Sequence, residues 1–171
     1  MDNLKLEGDK NTVFSSVKNF LNDSGFKIVS KDSNRPWGGF FVLDETQAVN
    51  FGAMFFPGIE IDSLKIGGKL SPKILMVEPT KRLSWQYHHR RAEIWKLVAG
   101  TAGVVTSLSD KEGPPQKLSV GQVIRLNQGQ RHRLVGLEGG WGMVAEIWQH
   151  TDPKNPSNED DIIRLQDDFG R

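Results

Sequence analysis

The sequence predicts an all-β protein, a small barrel or sandwich with one short helix ahead of it and a tail folded back over it. Three observations carry this reading. From Gly39 onward the chain is a succession of short β-rich runs separated by Gly, Pro, Asn and Asp. It holds 18 glycines in 171 residues, enough to punctuate many tight turns. Near the N-terminus a single stretch repeats its apolar side chains at helical spacing. No internal repeat or low-complexity tract interrupts the pattern.

The helix is expected over residues 11–24. Val13, Phe14, Val17, Phe20 and Leu21 share one face, Asn11 or Thr12 supplies the N-cap, and Gly25 the stop. A strand starts within 26–29. Residues 1–34 carry too little apolar surface to fold alone and are read as an extension packed on a domain of residues 35–171. Strands are expected in that domain at 40–43, 75–77, 94–98, 103–108, 122–126, 132–137 and 143–148. Residues 109–115 form a loop, since Pro114-Pro115 cannot continue a central strand. The apolar stretch 51–58, bounded by Gly and Pro, fits a lid, a dimer contact or an added strand, and the sequence does not separate these. Further on, Ser157 or Asn158 ahead of Glu159, Asp160 and Asp161 places negative charge on the first turn of an expected helix.

Composition narrows the function. One domain is expected from this length. A formal net charge of +1 makes no electrostatic case for nucleic acid or an anionic membrane. The absence of cysteine excludes a disulfide, a thiolate ligand and a thiol nucleophile. No apolar run approaches a membrane span and no signal-peptide core is visible, so a cytoplasmic protein is expected.

Four residues carry the chemistry: Gln86, His88, Glu93 and His132. On a strand, positions i and i+2 share a face, so Gln86 and His88 converge on one point. Glu93 stands five residues past His88, an odd offset, so residues 89–91 must bend to bring its carboxylate back. His132 arrives from a distant Gly-punctuated turn. Imidazole and carboxylate donors suit zinc, or iron held by two His and one carboxylate.

The frameworks around these residues are Gln86-x-His88-x4-Glu93-x6-Gly100 and Gly121-x5-Asn127-x-Gly129-x2-His132-x3-Gly136. They resemble the two signature motifs of the cupin superfamily, a jelly-roll barrel with a metal ion in its mouth. Gln86 stands where the first His usually sits, and a Gln-His-Glu-His set resembles the zinc site of phosphomannose isomerases. The resemblance extends through Arg35-Pro36-Trp37-Gly38, Leu83-Ser84-Trp85-Gln86, Arg91-Ala92-Glu93-Ile94-Trp95, Gly100-Thr101-Ala102 and Glu159-Asp160-Asp161-Ile162-Ile163-Arg164 to Phe169-Gly170-Arg171. On these runs the chain is identified as a member of the type II mannose-6-phosphate isomerase family. That module is usually fused behind a mannose-1-phosphate guanylyltransferase. The likeness covers roughly residues 35–171, with an insertion over 44–72. Three positions depart from the family: Ile94 where His is usual, Trp85 in place of a small aliphatic residue, and Thr80 where Gly is common. No Gly-rich nucleotide loop is present, so GDP-mannose synthesis by this chain alone is not expected.

The resemblance implies a divalent metal bound by Gln86, His88, Glu93 and His132, with zinc first and iron, manganese, nickel or cobalt open. It implies interconversion of mannose 6-phosphate and fructose 6-phosphate, with Arg133, Arg164 and Arg171 as candidate phosphate ligands. Glu146 and His89 are the candidate acid–base residues, although strand alternation turns His89 away from the metal. Arg35 and Trp37 read as a structural corner leading into the barrel. A sugar-binding cupin without turnover and a small cupin oxygenase are the alternatives. A homodimer is expected by analogy with the fold.

Overall fold

The structure, a computed structural model, describes residues 4–170. Helix α1 (Lys10–Asp23) leads into β1 (Ile28–Asp32) and β2 (Gly38–Leu43). Asp9 caps the helix, rather than Asn11 or Thr12: its carboxylate accepts the Thr12 backbone N–H at 2.8 Å. A 3-10 turn (Glu45–Gln47), α2 (Ala48–Phe55) and a second 3-10 turn (Ile61–Leu64) then intervene before β3 (Lys73–Val77). The remaining strands are β4 (Trp85–Tyr87), β5 (Arg91–Gly100), β6 (Ala102–Ser107), β7 (Gln116–Lys117), β8 (Val123–Leu126), β9 (Arg131–Gly136), β10 (Gly142–His150) and β11 (Ile163–Gln166).

Two antiparallel sheets face one another. One runs β1-β2-β3-β10-β5-β8 and the other β11-β4-β9-β6-β7. Between them lies an apolar core that includes Leu75, Val77, Trp95, Leu97, Val104, Leu134 and Val144. A second apolar layer covers the outer face of the six-stranded sheet. There Ile74, Met76, Ile94, Met143, Ala145 and Ile147 meet α1, α2 and their connections. Strands β3 and β10 are therefore buried on both faces, and the period of two decides which side chains enter the barrel. On β10, Val144, Glu146 and Trp148 point in, while Met143, Ala145 and Ile147 point out.

The N-terminal residues do more than pack on the barrel. Strand β1 pairs with β2 and so extends the six-stranded sheet, and Phe14 of α1 sits 5.3 Å from Phe41 and edge-on to Trp141 at 6.1 Å. The stretch 51–58 is not an added strand, and it packs on the outer face of the six-stranded sheet instead of covering the barrel mouth. It is largely α2, whose Ala48, Phe51, Gly52 and Phe55 are buried. Phe51, Phe55 and Phe26 form an aromatic cluster with centroids 4.7 to 5.9 Å apart. Gly52 makes that packing possible, because a Cβ there would stand 2.2 Å from Ile61. Glu45 closes the excursion by accepting the Leu70 and Ser71 N–H groups at 2.6 and 2.8 Å.

The tail differs as well. The acidic run at 159–161 forms a turn, not a helix, and leads to β11, which pairs with β4. The Glu159 and Asp161 carboxylates are engaged with Lys73 and with the bend after β4, as described below. Arg171 lies outside the described residues. Among the described residues no helix is long and apolar enough to cross a membrane.

Candidate metal centre and cavity

Both sheets contribute to one end of the barrel. On the five-stranded sheet Gln86 of β4 is the direct partner of His132 of β9, so the two side chains stand abreast. His88 follows the end of β4, residues 89 and 90 bend, and β5 begins at Arg91. That bend turns Glu93 inward, so the expected reversal is present. Its backbone is held from across the molecule. The Asp161 carboxylate accepts the N–H groups of His89 and Arg90, both at 3.0 Å, and the Ser157 hydroxyl at 2.6 Å. Against the cost of burial, these hydrogen bonds hold the Asp161 carboxyl below its ordinary range.

His88, Glu93 and His132 are each at most 2 % exposed, and their ligand atoms all lie within 4.8 Å of one another. His88 Nδ1–H donates to the Asp161 carbonyl at 2.6 Å, and His132 Nδ1–H to the Gln130 carbonyl at 2.9 Å. Both rings therefore present Nε2 to Glu93, at 3.1 Å from Oε1 and 3.3 Å from Oε2. This is the outer arrangement expected of metal-binding histidines, whose second nitrogen is pinned by a carbonyl. Among the described residues neither Glu93 Oε2 nor His132 Nε2 has a hydrogen-bond partner. In the neutral ring, two lone pairs then face each other in a buried space, which is repulsive unless a cation stands between them. The donor set suits a divalent ion, and the residues fit it.

Protonation agrees with this. Burial pushes His88 below its ordinary value, leaving Nε2 free to act as a ligand. Burial alone would raise Glu93, but the electrostatic pull of the His88 ring and the Arg91 guanidinium beside it holds it well below the carboxylate range. Gln86 is buried beside them, its Oε1 accepting the Ser84 hydroxyl at 2.6 Å. Arg91, a residue the sequence reading did not single out, donates through Nε to Glu93 Oε1 at 2.7 Å. Its Nη2 is 3.2 Å from His88 Nε2, and Nη1 donates to Ser157 Oγ at 2.8 Å.

The centre opens into a cavity of about 380 Å³. Glu146, Lys73 and Trp95 line it from one rung of the six-stranded sheet, where Glu146 pairs with Lys73 on one side and Trp95 on the other. Trp95 Nε1–H donates to Glu146 Oε1 at 2.9 Å. Burial first, and then the charge of Glu93, raise the Glu146 carboxyl to about 7. Arg35, Trp37, Trp148 and Arg164 also line this space. Arg35 and Trp37 are thus part of the cavity wall as well as the corner expected of them.

Two candidates fall outside it. His89 is exposed, its ring edge-on to Tyr87 at 5.3 Å, and it does not line the cavity. Arg133 follows His132 on β9 and so points to the opposite face. There it is fully buried, donating to Glu112 at 2.9 and 3.0 Å, to the Leu83 carbonyl at 2.9 Å and to Gln166 at 3.4 Å. It clasps the 109–115 loop and β11 instead of facing a ligand. The departure at Ile94 leaves the metal donors untouched, since Ile94 faces the outer apolar layer opposite Ile147. Lys73, Asp161 and Ser157 carry no local signal; only their distant partners mark them.

A two-sheet jelly-roll with two His and a Glu in its mouth defines a cupin. Solved structures similar to this chain agree. The capsular polysaccharide assembling protein CapF from Staphylococcus aureus superposes with a TM-score of 0.52 at 14 % identity, over 83 % of this chain and 34 % of that one. Oxalate decarboxylase from Bacillus subtilis gives 0.51 at 14 % identity, over 81 % of this chain and 29 % of its own. The family follows from sequence: the mannose-6-phosphate isomerase C-terminal family matches residues 48–167, and the chain belongs to it. It is 34 % identical to the alginate biosynthesis protein AlgA of Pseudomonas aeruginosa over 132 residues, 74 % of this chain and 24 % of AlgA. It is 30 % identical to mannose-1-phosphate guanylyltransferase ManC of Salmonella typhimurium over 69 % of this chain and 23 % of ManC. The chain thus spans about a quarter of the length of these relatives.

Proposed function

We propose that the protein is a metal-dependent isomerase interconverting mannose 6-phosphate and fructose 6-phosphate. One observation carries the reading beyond family membership. Glu93 of the three-ligand cluster, with Gln86 beside it, lines the same cavity as a buried carboxyl raised to about 7. Aldose–ketose isomerisation needs a base that removes the C2 proton of the open-chain aldose and returns it to C1 through a cis-enediol. The hydroxyl proton moves correspondingly from O2 to O1. Glu146 suits that task, because a base is most effective when its pKa lies near the working pH. Trp95 holds Oε1 and leaves Oε2 as the atom that takes and returns the proton.

When bound, a divalent ion held by His88, Glu93 and His132, with Gln86 alongside, supplies Lewis acidity that offsets charge developing on the sugar oxygens. Zinc is the first candidate, with iron, manganese, nickel and cobalt as alternatives, since availability often sets occupancy. Trp37 and Trp148 line the wall and exclude water, and Arg35, Lys73 and Arg164 supply positive charge.

The test is a coupled assay for fructose 6-phosphate made from mannose 6-phosphate, on metal-analysed protein, with Glu93→Ala and Glu146→Gln beside wild type. Turnover lost in both variants supports the proposal. No turnover after loading with zinc, manganese, cobalt, nickel or iron overturns it. A sugar-binding cupin without turnover is the second reading. The observation that favours it is Arg91 Nη2 at 3.2 Å from His88 Nε2, where a cation already competes for a ligand lone pair.

A further inference from the structure

Lys73 is 5 % exposed on the cavity wall, a costly place for an ammonium unless an anion stays with it. Its Nζ lies 3.7 Å above the Trp148 ring and 5.5 Å from Phe40. Among the described residues its one ion-pair partner is Glu159, on the turn before β11. The two differ sharply in burial: the Lys73 side chain is 6 % exposed and the Glu159 side chain 62 %. The lysine cannot leave, whereas the glutamate regains water simply by swinging outward.

The other cations divide in the same way. Arg91 has all its donors committed to Glu93, His88, Ser157 and nearby carbonyls. Arg35 has its guanidinium 5.6 Å from the Phe40 ring that Lys73 also approaches, and its Nε is paired with Asp32 at 2.8 Å. Arg164 lines the cavity from β11. A ligand anion entering between Lys73 and Arg35 replaces one exposed carboxylate and keeps the buried ammonium compensated.

We infer that Lys73, with Arg35 beside it, forms the phosphate subsite of the cavity, and that the Glu159 carboxylate occupies it as an internal anion that a phosphate monoester displaces. A dianion offers the ammonium more charge than a carboxylate, and the exposed Glu159 carboxylate it displaces is rehydrated while Lys73 stays compensated. Glu159 therefore tunes affinity: it keeps the empty subsite neutral and weakens every anion that must evict it. This rests on the reading that the cavity takes a phosphorylated sugar, but it is tested without turnover.

Inorganic phosphate titrated into metal-analysed protein, read by tryptophan fluorescence through Trp148, is the experiment. Wild type is expected to bind; Glu159→Gln is expected to bind about five-fold more tightly or better, and Lys73→Met about ten-fold more weakly or worse. Lys73→Met is compared only if its circular dichroism and melting temperature match wild type; otherwise the exposed Glu159→Gln decides alone. An affinity in Glu159→Gln equal to or below that of wild type overturns the inference. So does wild-type affinity in a folded Lys73→Met, or no phosphate binding by either wild type or Glu159→Gln. The two readings fail separately. The expected phosphate pattern without isomerase turnover leaves the subsite and removes the isomerase. Turnover with a phosphate affinity indifferent to Glu159 removes the subsite and leaves the isomerase.

Discussion

At the scale of the residue, the candidate metal donors were visible in the sequence and their supports were not. Glu93→Ala and His132→Ala are each expected to lose bound metal in elemental analysis, while His89→Ala, altered on the exposed side of the bend, retains it. Equal metal content in all three would sink the ligand assignment. Asp161→Asn places an amide where a carboxylate accepted two backbone N–H groups and a hydroxyl. We expect a loss of about 1–3 kcal/mol in urea unfolding and roughly 10- to 100-fold in metal affinity. The pH profile of turnover should rise through about 7 as Glu146 ionises, since the base works deprotonated. A kcat that is flat from pH 6 to 8 would remove Glu146 from that role. Gln86, His88, Glu93 and His132 were legible because their spacing is local and the chemistry of their side chains unambiguous. Asp161 was not, because its partners His89 and Arg90 lie 72 and 71 positions away. Arg133 was a candidate because it matches a family position, against the alternation that turns it away from His132, and alternation decided the outcome: it is buried against Glu112 and Leu83.

At the scale of the element, period-two alternation accounts for most of what the strands do, and the exceptions have physical causes. β4, β7 and β11 are two to four residues long, too short to show a pattern. α2 was missed because Gly52 lies within its apolar run and reads as a breaker, yet that glycine is what lets the helix close on Ile61. The expected C-terminal helix gave way because Glu159 and Asp161 found tertiary partners stronger than a helix N-terminus. Thr80, already noted as standing where Gly is common, has φ of +63° in the exposed turn ahead of β4. Left-handed backbone costs a side chain about 1–2 kcal/mol, partly offset by the entropy glycine loses on folding. Thr80→Gly is therefore expected to raise stability by roughly 0.5–1 kcal/mol in thermal or urea unfolding, with turnover unchanged. A fall in stability would show that the turn is held by something other than its backbone.

At the scale of the whole molecule, two buried groups on β10 titrate with opposite consequences. His150 accepts the Ser157 N–H at 3.0 Å through Nδ1 and lies 3.3 Å from the Ser71 hydroxyl through Nε2, and burial first among several causes lowers it to about 4. The unfolded chain then binds the proton more readily, so stability is lost as pH falls from about 6.5 towards 4. Glu146 is raised to about 7, so the folded state binds the proton more readily and stability is gained as pH falls from about 7 towards 4.5. The two slopes oppose over their shared window. Metal-free wild type should therefore lose urea midpoint more gently there than Glu146→Gln, which exposes the full loss due to His150 and to His88, also lowered by burial. Parallel behaviour of both proteins would show that other groups dominate.

One feature of the tail reaches beyond energetics. The carbonyl that fixes the His88 ring and the carboxylate that shapes the following bend both belong to Asp161, whereas every strand except β11 is complete by His150. During synthesis, every metal donor is therefore translated well before the residue that aims one of them. A nascent barrel can fold around an unaimed His88, and the ion-binding geometry is completed only when the chain has grown past residue 161. The barrel thereby has an opportunity to close before it competes for a cation, a chronology that follows from one long-range hydrogen bond.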